Sequence, residues 1–167
     1  MVWLLAACLD HDPVPGAAMD EVIALQSDFA AFRTWSSLEV AAGDTGHAAG
    51  DRVVYLSAPP PAAAEDFPVG TILVKTITAD GGEDIHAMVK RGGGYNADGA
   101  PGWEWFELVS ATDGTPVIKW RGLAAPEGEA YGALPGSEGD TADRITGDCN
   151  VCHAGRADND FVHTVAL

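Results

Sequence analysis

Gly70-Thr71-Ile72-Leu73-Val74-Lys75-Thr76-Ile77-Thr78 decides the fold class. Threonine, isoleucine and valine dominate the stretch. β-Branched side chains lose rotamer freedom in a helix and pack well on a pleated surface. Strand alternation puts Leu73, Lys75 and Ile77 on one face and Ile72, Val74 and Thr76 on the other. Both faces are apolar except at Lys75, so the stretch reads as a strand covered on both sides. A lysine in that setting must snorkel, give up its charge, or do chemistry. The plain alternative is an edge-strand lysine that blocks aggregation.

Further strands flank this one. Residues 52–56, Arg-Val-Val-Tyr-Leu, form the one before it, ended by Pro59-Pro60-Pro61 and a loop to Pro68. Asp80-Gly81-Gly82 turns the chain into a strand over 85–90. A glycine-rich loop over 91–102 leads to another strand over 103–109. Asp113-Gly114 is a hairpin signal before a last strand over 116–121. Upstream, Val22, Leu25, Phe29 and Phe32 follow helical spacing, with Asp20 and Glu21 in the first turn, which predicts a helix over 19–35. Residues 41–50 and 122–147 read as loops, and there is no internal repeat. The expected architecture is α+β: mainly an antiparallel β-sheet with an N-terminal helix and a C-terminal Cys-x-x-Cys-His segment.

A length of 167 residues fits one domain. The formal net charge of -16 argues against nucleic-acid binding, which needs a basic footprint. It favours solubility and would steer a basic protein partner. No stretch is long and apolar enough to span a bilayer. Leu5-Ala6-Ala7-Cys8 resembles a bacterial lipoprotein box, although no Lys or Arg precedes it. Residues 1–18 therefore read as a truncated leader and tether with a lipid anchor at Cys8, and 19–167 as the single domain. A chance apolar start is the alternative.

Cys149-Asn150-Val151-Cys152-His153 carries the chemistry. This is the spacing of covalent haem attachment: two thiols add to the haem vinyl groups, and the adjacent histidine goes onto the iron. Haem c with His153 as iron ligand is the first reading. Attachment of this kind takes place outside the bacterial inner membrane, which agrees with a periplasmic or outer-surface location. A zinc site from Cys149, Cys152, His153 and His163, and a thioredoxin-like dithiol, are the alternatives. Met1, Met19 and Met88 all precede the motif, so a methionine on the far side of the iron is not indicated and an open iron face is expected.

Several blocks together resemble the cytochrome P-460 family. They are Phe32-Arg33-Thr34-Trp35, Arg52-Val53-Val54-Tyr55, Phe67 to Lys75, Met88-Val89-Lys90, Gly102-Trp103-Glu104-Trp105-Phe106, the haem motif, and Asp160-Phe161-Val162-His163-Thr164. The resemblance covers residues 29–164. It implies a mostly β fold, commonly a homodimer, with five-coordinate haem and Lys75 cross-linked to the macrocycle. It also implies oxidation of hydroxylamine to nitrous oxide or nitric oxide-level products, with a redox partner protein to take the electrons. The related cytochromes c′-beta lack the cross-link and bind nitric oxide or carbon monoxide, so non-catalytic gas binding is the alternative and electron transfer a second one. The resemblance further implies a distal carboxylate as proton acceptor. The position matched to it is Gly155, which leaves Asp158 as the substitute. His163 stands where the family carries phenylalanine, as a base, a second ligand or a core residue. His47 is a further distal candidate, and His11 and His86 read as structural.

Overall fold

The computed structural model describes residues 20–41, 50–62, 65–125 and 149–163. The leader and tether with Cys8, together with His11, His47 and most of the acidic loop, lie outside them. The described chain is mostly one antiparallel six-stranded sheet in sequence order: β1 (Ser36–Val40), β2 (Asp51–Leu56), β3 (Ile72–Ala79), β4 (Gly82–Lys90), β5 (Trp103–Ser110) and β6 (Pro116–Gly122). The strands β2 to β6 stand where β-branched and aromatic runs placed them. The strand around Lys75 is interior, between β2 and β4, so the edge-strand account of Lys75 does not hold.

The expected helix over 19–35 does not form. Two short 3-10 turns, Gln26–Phe29 and Phe32–Thr34, stand in its place. Ahead of them Glu21 bridges Gly92, and the Val22 amide donates to the Arg91 carbonyl at 2.8 Å, so the chain enters extended alongside the sheet. Gly92 allows this approach: its φ is +74°, and a Cβ there would lie 2.6 Å from the Asp20 carbonyl oxygen. Asp28 then accepts from the Leu25 amide at 2.7 Å and starts the first turn. Phe29 and Phe32 are buried as their spacing implied, but Leu25 is exposed. A different set of contacts has taken over the stripe. The unexpected β1 lacks a buried face and forms by pairing with β2, from Ser36 opposite Leu56 to Val40 opposite Arg52.

The sheet's two faces have separate tasks. Phe29 and Phe32 cover one face, packing with Val74, Ile85, Val89, Phe106 and Leu108. Glu104 ties this layer down. It accepts from Arg121 Nε and a second guanidinium nitrogen at 2.7 and 2.6 Å, and Arg121 also donates to the Ala24 carbonyl. The opposite face carries Val54, Leu73, Met88, Trp103 and Trp105, and Cys149 and Val162 of the C-terminal segment pack there. That segment is a helix of six residues, α1 (Cys149–Ala154), followed by a 3-10 turn, Ala157–Asn159.

Candidate functional site

Register on the second face sets the site. In an antiparallel pair, directly opposed residues project to the same side. Val54, Lys75, His86, Glu107 and Trp120 are opposed in turn across β2 to β6 and form one row. Leu56, Leu73, Met88 and Trp105 form the adjacent row. A cavity of about 910 Å³, counting its open mouth, lies over these rows. Lys75, His86 and Trp105 line it from the sheet, and Cys149, Cys152 and His153 from α1. The residues that the sequence singled out at positions 75, 149, 152 and 153 therefore meet at one cavity, although 73 residues of chain lie between Lys75 and Cys149.

α1 presents both thiols to this space because its cysteines are three apart and so share a helix face. A helix this short is marginal alone, so it must be docked. Asn150 docks it. Its Oδ1 accepts from Trp105 Nε1 at 2.8 Å and Asn96 Nδ2 at 2.7 Å, while its Nδ2 donates to the Leu123 carbonyl at 3.3 Å.

His153 is held on two sides. Its ring packs against Trp105, with centroids 4.6 Å apart. Its Nδ1 lies 2.5 Å from the Phe161 carbonyl oxygen. A carbonyl only accepts, so Nδ1 carries the hydrogen and Nε2 keeps its lone pair. Burial pushes the imidazole down to about 3 against the opposing pull of the Phe161 carbonyl, so it is neutral at pH 7. A neutral imidazole with a free Nε2 is the form that binds a metal.

Lys75 is half-buried and lines the cavity. Burial and then the Arg52 charge lower its ammonium to about 7, so much of it is an uncharged amine at neutral pH. His86, opposite Lys75, is pushed down to about 3 by burial and then by the Lys75 and Lys119 charges. Glu107 accepts from Lys119 Nζ at 3.0 Å and Trp120 Nε1 at 2.7 Å. Asp84 is raised by burial and by the Glu107 charge.

The expected acid–base groups divide. His163 lines the cavity; its ring stands edge-on to His153 with centroids 5.0 Å apart, and its Nε2 lies 3.1 Å from the Cys152 carbonyl. Asp158 does not line the cavity. Its side chain is 81 % exposed, and Arg156 Nε lies 3.6 Å away. Gly155 is exposed as well, just past the end of α1. The turn after α1 thus carries both positions away from the cavity, and neither supplies it with a carboxylate.

Three further residues belong to the site although their sequence context did not mark them. His86 reads as structural in isolation, yet period-2 alternation in β4 puts it on the face of Met88. Met88 itself lines the cavity, well upstream of the motif. Trp105 was one residue of a predicted strand, but its indole holds both Asn150 and His153. Pairing β3 with β4 in register is what would have revealed His86.

The donor set at the cavity is of the kind that covalent haem attachment uses. Both cysteines are thiols, the histidine beside them offers Nε2, and the space in front of them has walls of Val54, Leu73, Met88, Trp105 and Val162. Among the described residues no three His, Cys, Asp or Glu side chains converge as metal ligands, so the four-ligand zinc alternative has no preformed site there. The dithiol alternative needs a βαβ setting, and the described sheet is antiparallel throughout. Comparison with known proteins matches this chain to no family model, no curated protein and no solved structure.

Proposed function

We propose that the chain is a periplasmic or outer-surface c-type haem protein with an open iron face, and that it oxidises hydroxylamine. One observation carries this reading: Cys149, Cys152, His153 and Lys75 open on the same largely apolar cavity. Cys149 and Cys152 would hold the haem through thioethers, and His153 Nε2 would hold the iron. The haem, when bound, supplies the electron-accepting chemistry. The chain supplies the rest. Leu73, Met88 and Trp105 keep bulk water from the pocket. The neutral amine of Lys75 is a nucleophile beside the site, in keeping with the cross-link that the family resemblance implies. His163 is the base candidate that lines the cavity. A homodimer and a protein redox partner are part of the same proposal and rest on the resemblance.

A second reading has its own support. Asp158 faces solvent, and Glu107, a cavity carboxylate, is held by Lys119 and Trp120. A pocket to which the described residues bring no available carboxylate suits reversible binding of nitric oxide or carbon monoxide better than proton-coupled oxidation.

The test is the protein purified from a host with haem-attachment machinery. Its mass should include one haem, and its reduced Soret band should be red-shifted. Lys75→Arg should keep the haem and restore an ordinary c-type spectrum. An ordinary spectrum in the natural protein, with nitric oxide bound and no hydroxylamine turnover, selects the gas-binding reading. A haem-free mass removes both. A low-spin ferric spectrum would mean that a second strong donor of the chain also holds the iron, and would replace both readings with electron transfer.

A further inference from the structure

The turn after α1 carries an ion pair that is deeply buried. Asp160 is 6 % exposed and Lys90 8 %. Lys90 Nζ donates to Asp160 Oδ1 at 2.6 Å and to the Pro101 carbonyl at 3.2 Å. Asp160 Oδ2 accepts from the Phe67 amide at 2.9 Å. The Asp160 carbonyl accepts from Trp103 Nε1 at 2.8 Å. These contacts come from β4, from β5 and from the loop before β3, so one aspartate is gripped by three separate pieces of chain.

The backbone at this point is unusual. Asp160 has φ 46° and Phe161 has φ 63°, both in the left-handed region. For residues with a Cβ this region costs roughly 1–2 kcal/mol each, so surrounding contacts must impose it. The reversal brings the Phe161 amide onto the Arg156 carbonyl at 2.8 Å. It also turns the Phe161 carbonyl back onto His153 Nδ1.

We infer that Asp160 is the positioning residue for His153: clamped by Lys90, Phe67 and Trp103, it holds the left-handed turn that aims the Phe161 carbonyl at His153 Nδ1. That hydrogen bond fixes which nitrogen is protonated and sets how strongly Nε2 donates to a metal. The inference rests on the haem reading for its consequence at the iron, but the hydrogen bond exists in the chain itself. A weaker bond makes the imidazole a poorer donor, which raises the reduction potential of a bound haem.

The experiment uses the full chain in two forms. In the haem-free protein, nitrogen NMR of His153 should show the Nδ1-protonated tautomer. Asp160→Asn, which removes the charge that pairs with Lys90, should mix in the other tautomer. In the haem-loaded protein the same substitution should lower the iron–histidine stretching frequency of the ferrous form and raise the midpoint potential. Trp103→Phe removes one donor to Asp160 and keeps the ring; it should shift both readouts in the same direction by less, and it decides the matter if Asp160→Asn does not fold. A lower melting temperature with an unchanged tautomer, stretching frequency and potential would reduce Asp160 to a structural tie and overturn the inference. If the natural protein takes up no haem, the proposed function falls, and the tautomer measurement alone still decides on the clamp.

Discussion

Lys75→Met in the haem-free chain should remove a pH-dependent penalty that the wild type carries. The folded ammonium titrates at about 7 instead of 10.5, chiefly because burial opposes its charge. At about 1.4 kcal/mol per pH unit, that depression corresponds to roughly 5 kcal/mol at full effect. The sign follows from proton counting. Above pH 10.5 the lysine is neutral folded and unfolded, so it adds no pH dependence. Between 10.5 and about 7 the unfolded chain binds a proton that the folded chain does not, so wild-type stability falls as the pH falls. Below about 7 both forms are charged and the penalty levels off. Methionine has a similar length and no charge, so the variant should lack this slope and should gain stability over the wild type as the pH is lowered from 10 to 7. Water entering the cavity would reduce the gain, and about 2–5 kcal/mol at pH 7 is expected. Urea unfolding of both proteins, at steps between pH 7 and 10, measures the difference while cancelling the titration of other groups. A difference that stays constant across that range would refute the placement of Lys75 as a half-buried amine whose charge is opposed by its surroundings.

Two more outcomes follow from the division of the sheet's faces and from the turn after α1. Phe29 is fully buried on the face away from the cavity, with its ring 5.2 Å from that of Phe106, so Phe29→Ala should cost about 3–5 kcal/mol in urea unfolding while leaving haem uptake, read by mass, intact. Gly155→Glu should not raise hydroxylamine turnover in steady-state assays, because position 155 is exposed beyond α1; a clear rise would show that this position faces the reaction after all.

What could be read without the structure depended on whether a signal was local. β3 to β6 were legible because runs such as Ile72-Leu73-Val74 and Trp103-Glu104-Trp105-Phe106 favour strands whatever surrounds them. Alternation put Lys75 on an apolar face, but only the strand order, with β3 between β2 and β4, separates that from an edge-strand lysine. The segment over 19–35 was misread because Val22, Leu25, Phe29 and Phe32 satisfy a helical template, while the deciding contacts come from Arg91 and Gly92, some seventy residues away in sequence. β1 was missed because an exposed edge strand shows no apolar alternation, and only its partner β2 makes it a strand. In the site, the run from Cys149 to His153 stood out because its spacing is local. His86 was not, since its relevance comes from the register of β4 on β3. The exposure of Asp158 was not legible either, because counting along the chain does not give the direction of a turn.

The geometry of the site can be traced to two anchors on either side of a helix too short to hold itself. Asn150 fixes α1 from within by taking hydrogen bonds from Trp105 and Asn96. Asp160 fixes the chain after it against Lys90, Phe67 and Trp103. Trp103 and Trp105 are two apart on β5 and therefore share a face, so one strand receives both anchors. Lys75 reaches the same cavity through β4, which pairs with β5 on one side and β3 on the other. Distances between the thiols, the imidazole and the amine are thus set mainly by strand register, with Asn96 and Phe67 adding contacts from the loops after β4 and before β3. A rigid floor of this kind limits how far His153 and Lys75 can move relative to each other. That is the condition under which an amine can meet the edge of a ligand held by a histidine on another element.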